Sequence, residues 1–204
     1  MNKDVKKILI VLFLFALGGG FFYNFQELWM LSNNLSVSTI SIIFALAALL
    51  TISILYICSS LVRKDKLKKF ILGLLLVKFI CMFALFFLNR SNLLIIIKFI
   101  MLVEYTVDVE IFSSFYPLIT RITKDDKIYA LKSIIYDAAY YIGVLITIVL
   151  LNRTIGLFNF SLNSYILIAG ILYLCAFVLL LSINVDKYKD SEKDNISYAQ
   201  VIKY

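Results

Sequence analysis

Glu104, Asp108 and Glu110 fall within the run FIMLVEYTVDVEIFSS, residues 99–114, among side chains otherwise suited to lipid. One charged side chain at the centre of a bilayer costs about 2.5–3.5 kcal/mol on insertion scales. Such residues must therefore face water, another helix or a counter-charge. At 100° per residue, Glu104 and Asp108 lie about 40° apart on one helical face, with Glu110 about 120° from Glu104. Two adjacent acids on one face make a natural proton or cation site. Asn24 and Glu27, in the outer half of an earlier apolar run, join them as candidate pathway residues. Lys78 lies at mid-depth in a third run and needs a counter-ion, which Glu110 or Asp137 would supply. Lys78, Glu110 and Asp137 thus read as structural ion pairs. Tyr136, Tyr140 and Tyr141 flank Asp137 and read as packing and hydrogen-bond partners.

The elements that position these groups follow from composition. Of 204 residues, 62% are hydrophobic and 16% are charged; a soluble domain is about half apolar and a quarter charged. Mean hydropathy is +0.95. The reading is an all-α, polytopic membrane protein. Apolar runs predict six transmembrane helices at about 7–31, 38–62, 69–89, 93–120, 131–151 and 163–184. They form one transmembrane domain, residues 1–184, followed by a polar tail, residues 185–204. The N-terminus imitates a signal peptide, with Ala16-Leu17-Gly18 as a possible cleavage site. Its apolar stretch runs on to about Leu31, which reads as a retained helix. Gly18, Gly19 and Gly20 within it permit close helix approach or a bend.

Six spans place both ends on one side, and Lys and Arg choose that side. The N-terminal tail, the second loop, the fourth loop and the C-terminal tail hold sixteen of the twenty Lys and Arg residues. Arg90 and Arg153 lie on the opposite face, and Lys78 and Lys98 lie inside spans. Both termini are predicted to be cytoplasmic in a multi-pass protein of the cell membrane. The net charge of +7 thus marks topology rather than nucleic-acid binding.

The chain has no histidine, which excludes Ser-His hydrolases and HExxH metalloproteases. It has no Walker A sequence and no GxGxxG, and no aspartyl-dyad signature is recognisable. The expectation is a non-enzyme with no cofactor. Cys58, Cys81 and Cys175 lie in apolar segments without zinc or disulfide spacing and read as inert thiols.

Two loops carry a family resemblance. SSLVRKDKLKK, after the second span, offers Asp65, Lys66, Lys68 and Lys69 as a basic loop motif. PLITRITKDDKIYALKSIIYDAAYYIG offers Lys124, Asp125, Ala130 and Gly143 around the fourth loop and fifth span. With six spans and both ends inside, the chain resembles the N-terminal six-helix half of a major facilitator superfamily transporter, of the efflux-type branch. It departs from that family in lacking both glycines of the first motif and in carrying Val144 where antiporters often have proline. The resemblance implies that spans one and four line a central cavity. It also implies a small-molecule substrate, proton- or cation-coupled efflux, and a second six-helix half or homodimer partner in the lipid bilayer. Two other functions fit the same composition: a substrate-binding membrane subunit of a multi-component uptake transporter, and a non-transporting scaffold or remnant.

Overall fold

In hydrocarbon every backbone polar group must be satisfied within the protein, and the helix does this within one segment. The computed structural model describes residues 3–61, 66–88, 94–123, 126–152 and 162–188. Seven α-helices lie among them: α1 Lys3–Phe22, α2 Gln26–Ser32, α3 Val37–Leu61, α4 Leu67–Leu88, α5 Leu94–Ile122, α6 Asp126–Asn152 and α7 Leu162–Leu181. A short 3-10 helix, Val185–Tyr188, follows. Asp65, the Lys124–Asp125 pair and most of the polar tail fall outside the described residues.

Five of these helices, α1, α3, α4, α6 and α7, are long and apolar enough to cross a membrane. This is the build of a multi-pass helical membrane protein. The longest helix, α5, is set apart by Glu104, Asp108 and Glu110. Asp108 is its central residue, fourteen positions from either end.

The first predicted span is not one continuous helix. α1 stops at Phe22, and α2 restarts at Gln26. Between them Phe25 N–H reaches Phe22 O at 3.0 Å, a tightened turn that leaves the α-helical ladder. Glycine is the poorest ordinary helix former, and three glycines precede the break. α2 then ends at Asn33, and Asn34 takes a left-handed backbone (φ 64°), a conformation asparagine tolerates. Ser36 opens α3 by accepting the Thr39 N–H on its hydroxyl at 3.2 Å, an N-cap.

α1 packs on α6 and α7, α5 packs on α3 and α4, and α4 packs on α7. A lighter contact joins α1 to α5. Exchanging α1 with α5, α3 with α6 and α4 with α7 maps this set of pairs onto itself. The bundle is thus a three-plus-three arrangement with α1, α4, α5 and α7 inside and α3 and α6 on the flanks. Among the five apolar helices α1 is the most buried and α6 the least.

One end of the bundle is basic. Lys68, at the start of α4, donates to Leu181 O at 3.1 Å and Ile183 O at 2.5 Å. Lys7, near the start of α1, donates to Ser182 Oγ at 3.2 Å. The last carbonyls of a helix lack intrahelical partners and attract cations, so two lysines cap α7. Tyr188 then donates to Asp4 at 2.9 Å. Of the predicted loop motif, Lys68 is this cap, and Lys66 and Lys69 are exposed.

Candidate functional site

Lys78 lies on the buried stripe of α4 formed by Ile71, Leu75, Met82 and Leu85, at the helical spacing of four, three, four, three. Glu104 and Asp108 lie on the corresponding stripe of α5, with Ile97, Met101, Ile111 and Phe115. Once α4 and α5 pack by these stripes, the charges must meet. Lys78 Nζ lies 2.5 Å from Glu104 Oε1 and 2.8 Å from Asp108 Oδ1. Lys78 and Glu104 are fully buried, while the Asp108 side chain is 14% exposed. The counter-ions of Lys78 are therefore Glu104 and Asp108, not Glu110 or Asp137 as the sequence reading assigned them. The register of α4 against α5 decides this, because both acids lie on the stripe of α5 that meets Lys78, and Glu110 lies about 120° around the helix from Glu104.

Tyr23, at the break after α1, completes the cluster. Lys78 Nζ donates to its hydroxyl, which donates in turn to Glu104 Oε1 at 3.2 Å. The ammonium also lies 4.8 Å from the centroid of the Tyr23 ring and 5.2 Å from that of Tyr173, within cation–π range. The glycines of α1 make room for these rings. A Cβ on Gly18 would come within 2.8 Å of the Tyr173 ring, and one on Gly19 within 3.1 Å of Tyr23. At Gly20 the neighbour is backbone: a Cβ there would lie 2.2 Å from Tyr140 O and 3.0 Å from Gly143 Cα. Gly20 and Gly143 thus bring α6 against α1 at the level of the break.

That approach leaves an open cleft of about 470 Å³ between α6, α5 and the α1–α2 break. Asp108 and Val109 line it from α5 with Tyr105; α6 contributes Tyr136, Asp137, Tyr140 and Tyr141; and Tyr23 and Gln26 close it at the break. Asp108 belongs to both the cluster and the cleft. The sealed acid, Glu104, keeps one oxygen, Oε2, with no hydrogen-bond partner.

The remaining predicted residues separate. Asp137 is exposed and lines the cleft across from Asp108. Asn24 is exposed and donates to the Tyr140 hydroxyl at 3.2 Å. Glu27 is exposed in the first turn of α2 and lies outside the cleft lining. Glu110 is buried with Oε1 unpartnered, away from Lys78. Tyr136 packs on Phe15 and Phe112, and it also walls the cleft together with Tyr140 and Tyr141. Gln26, another polar residue in the outer half of the first predicted span, lines the cleft. It is 6% exposed, and its Oε1 has no partner. Among the described residues no three His, Cys, Asp or Glu side chains gather as a metal site.

With Lys78 protonated and both acids ionised, the cluster carries one excess negative charge. Low-dielectric burial makes that excess costly unless a proton or another cation accompanies it. Asp108 is the member that reaches the open space. The arrangement can hold one exchangeable positive charge, delivered through the cleft. No protein-family model, curated protein or solved structure matches the chain.

Proposed function

We propose that the chain is one half of a secondary transporter of the major facilitator type, and that Asp108, Lys78 and Glu104 form its proton- or cation-coupling site. The observation that carries this reading is two acids of α5, Glu104 and Asp108, on the single ammonium of Lys78, with Asp108 opening onto a polar cleft. An inert ion pair has matched charge and needs no opening. The self-mapping packing pattern supports the same reading, because three-plus-three repeats of inverted topology are how such half bundles are built. In this reading α1 with α2, α3, α4, α5, α6 and α7 make six crossings. The starts of α1 and α4 and the end of α7 meet at the basic end, which is the cytoplasmic side.

Asp137 is exposed at the middle of α6, where lipid is a poor neighbour for a carboxylate. A second six-helix half, either another copy or a separate chain, covers the cleft and encloses the substrate. Coupling then follows from charge. A cation arriving at Asp108 displaces the proton or the Lys78 contact that had balanced it, so site occupancy and protonation are linked.

The test is proton flux in proteoliposomes carrying an internal pH dye. Asp108→Asn and Glu104→Gln each remove the excess charge, and each is expected to lower substrate-driven proton movement by about tenfold or more, the size of one charged hydrogen bond. Full flux in both variants would end the assignment.

A further inference from the structure

Two lysines are buried among the described residues, and they are held by different means. Lys78 has two acids. Lys132, on α6, is 7% exposed and meets rings: its Nζ lies 4.3 Å from the centroid of Phe112 and 5.9 Å from that of Tyr116. Among the described residues it has no hydrogen-bond acceptor and no carboxylate partner. An ammonium carries three donors, and ring faces offset only part of the cost of taking it out of water. What Lys132 lacks is an anion. Its place in the fold says where one would come from. α6 runs parallel to α1, because Phe15 meets Tyr136 and Gly20 meets Gly143, so α6 starts at the basic end of the bundle. Lys132 is five residues into the apolar stretch Lys127–Leu150, about 7.5 Å along the helix. That is the depth at which headgroups give way to acyl chains. Tyr116, one of the two rings beneath the ammonium, is 46% exposed, so the site lies at the surface. Arg121, in the last turn of α5, and Lys127 lie at the same end, and such basic clusters draw anionic lipid.

We propose that Lys132, in the groove between α5 and α6, binds the headgroup phosphate of an anionic phospholipid in the leaflet at the basic end. Held by rings and not by hydrogen bonds, the ammonium keeps its donors for the phosphate oxygens. The acyl chains lie along the apolar outer side of α6, where Ile134 and Leu145 are exposed. A zwitterionic lipid carries its own cation beside the phosphate and gains less from Lys132. The contact also reaches the cleft. Phe112, under the ammonium, packs at 4.5 Å on Tyr136, which walls the cleft. A bound lipid thus steadies α5 against α6 about one turn from Asp108. This inference does not rest on the transport reading, since a transporter, a binding subunit or a scaffold would each keep such a contact with the membrane.

Native mass spectrometry of the purified full chain tests this, with phosphatidylglycerol, phosphatidylcholine and inorganic phosphate as probes. Phosphatidylglycerol is expected to bind about tenfold tighter than phosphatidylcholine, the worth of a charge-assisted hydrogen bond. Lys132→Gln is expected to lose that preference and Lys132→Arg to keep it. Lys127→Gln, at an exposed position, is expected to keep most of it. A second measurement needs no variant. In nanodiscs, phosphatidylglycerol in place of phosphatidylcholine is expected to slow acetylation of Lys132 by an amine-reactive reagent, and to slow it more than that of Lys127. Equal affinity for the two lipids would overturn the proposal, and so would an undiminished preference in Lys132→Gln. Protection of Lys132 no greater than that of Lys127 would do the same. Displacement of the lipid by inorganic phosphate at equal concentration would reassign the site to a soluble anion and overturn the lipid proposal.

Discussion

α1 and α5 occupy equivalent places in the bundle, each packed on one flanking helix and one inner helix, yet they meet their neighbours by opposite means. α1 meets α6 with bare backbone, Gly20 against Gly143, and is so tight that a Cβ has no room. α5 meets α3 with bulk, the Tyr105 ring 5.6 Å from that of Phe44. α1 is uncharged from Ile8 to Phe22 and breaks at Tyr23, whereas α5 carries three acids and stays helical through Ile122. The difference shows a division of labour. The glycine helix gives up continuity to bring Tyr23, Gln26 and α6 together, and the charged helix supplies the acids that they surround. Neither helix alone makes the cleft.

The charged side of this comparison is the more fragile. Lys78→Met leaves the buried Glu104 and the partly buried Asp108 without their cation. It is expected to destabilise the protein by about 3–5 kcal/mol, read as a large loss of melting temperature in detergent. Adding Glu104→Gln to Lys78→Met should recover much of that loss, because the remaining acid, Asp108, reaches the cleft. No recovery would mean that Lys78 acts by packing rather than by charge. On the glycine side, Gly20→Ala pushes a methyl into Tyr140 O and is expected to cost about 1–3 kcal/mol by overpacking. Its mate seam should be more forgiving: Phe44→Leu gives up an aromatic pair worth about 0.5–1.5 kcal/mol beyond area. If the two substitutions cost the same, the seams do not differ as described. The smallest effect belongs to Glu27→Gln, an exposed position outside the cleft, expected within about 0.5 kcal/mol of the parent by the same melts.

Much of the helical layout was legible in the sequence because apolar length is a strong signal. The break at Tyr23 was not, since hydropathy measures the solvent a residue prefers and not whether its backbone stays helical. The triple glycine was its only trace. Glu104 and Asp108 were recognisable as a pair from their spacing on one helix. Their partner was not, because pairing across helices depends on a register that no single helix encodes. A signal was nevertheless present: Lys78 shares a stripe with Ile71, Leu75, Met82 and Leu85, and Glu104 with Ile97, Met101 and Ile111. Two inward stripes of opposite charge are candidates for each other. Glu27, by contrast, looked like a pathway residue while the first span was read as continuous; with the chain broken before Gln26, it lies exposed beside the cleft lining.

The central claim is that an acid at the midpoint of α5 is reached by water through the cleft, and this can be measured by thiol labelling in intact vesicles. The parent for this experiment has Cys58, Cys81 and Cys175 replaced by serine, and Asp108→Cys, Asp137→Cys and Ile171→Cys are compared. Ile171, exposed on α7, stands for the lipid-facing surface. The expected result is that a hydrophilic, charged thiol reagent modifies positions 108 and 137 and leaves 171 unmodified. Protection of 108 to the same extent as 171 would contradict the claim, placing the acid in a sealed core with no path for a proton or a substrate.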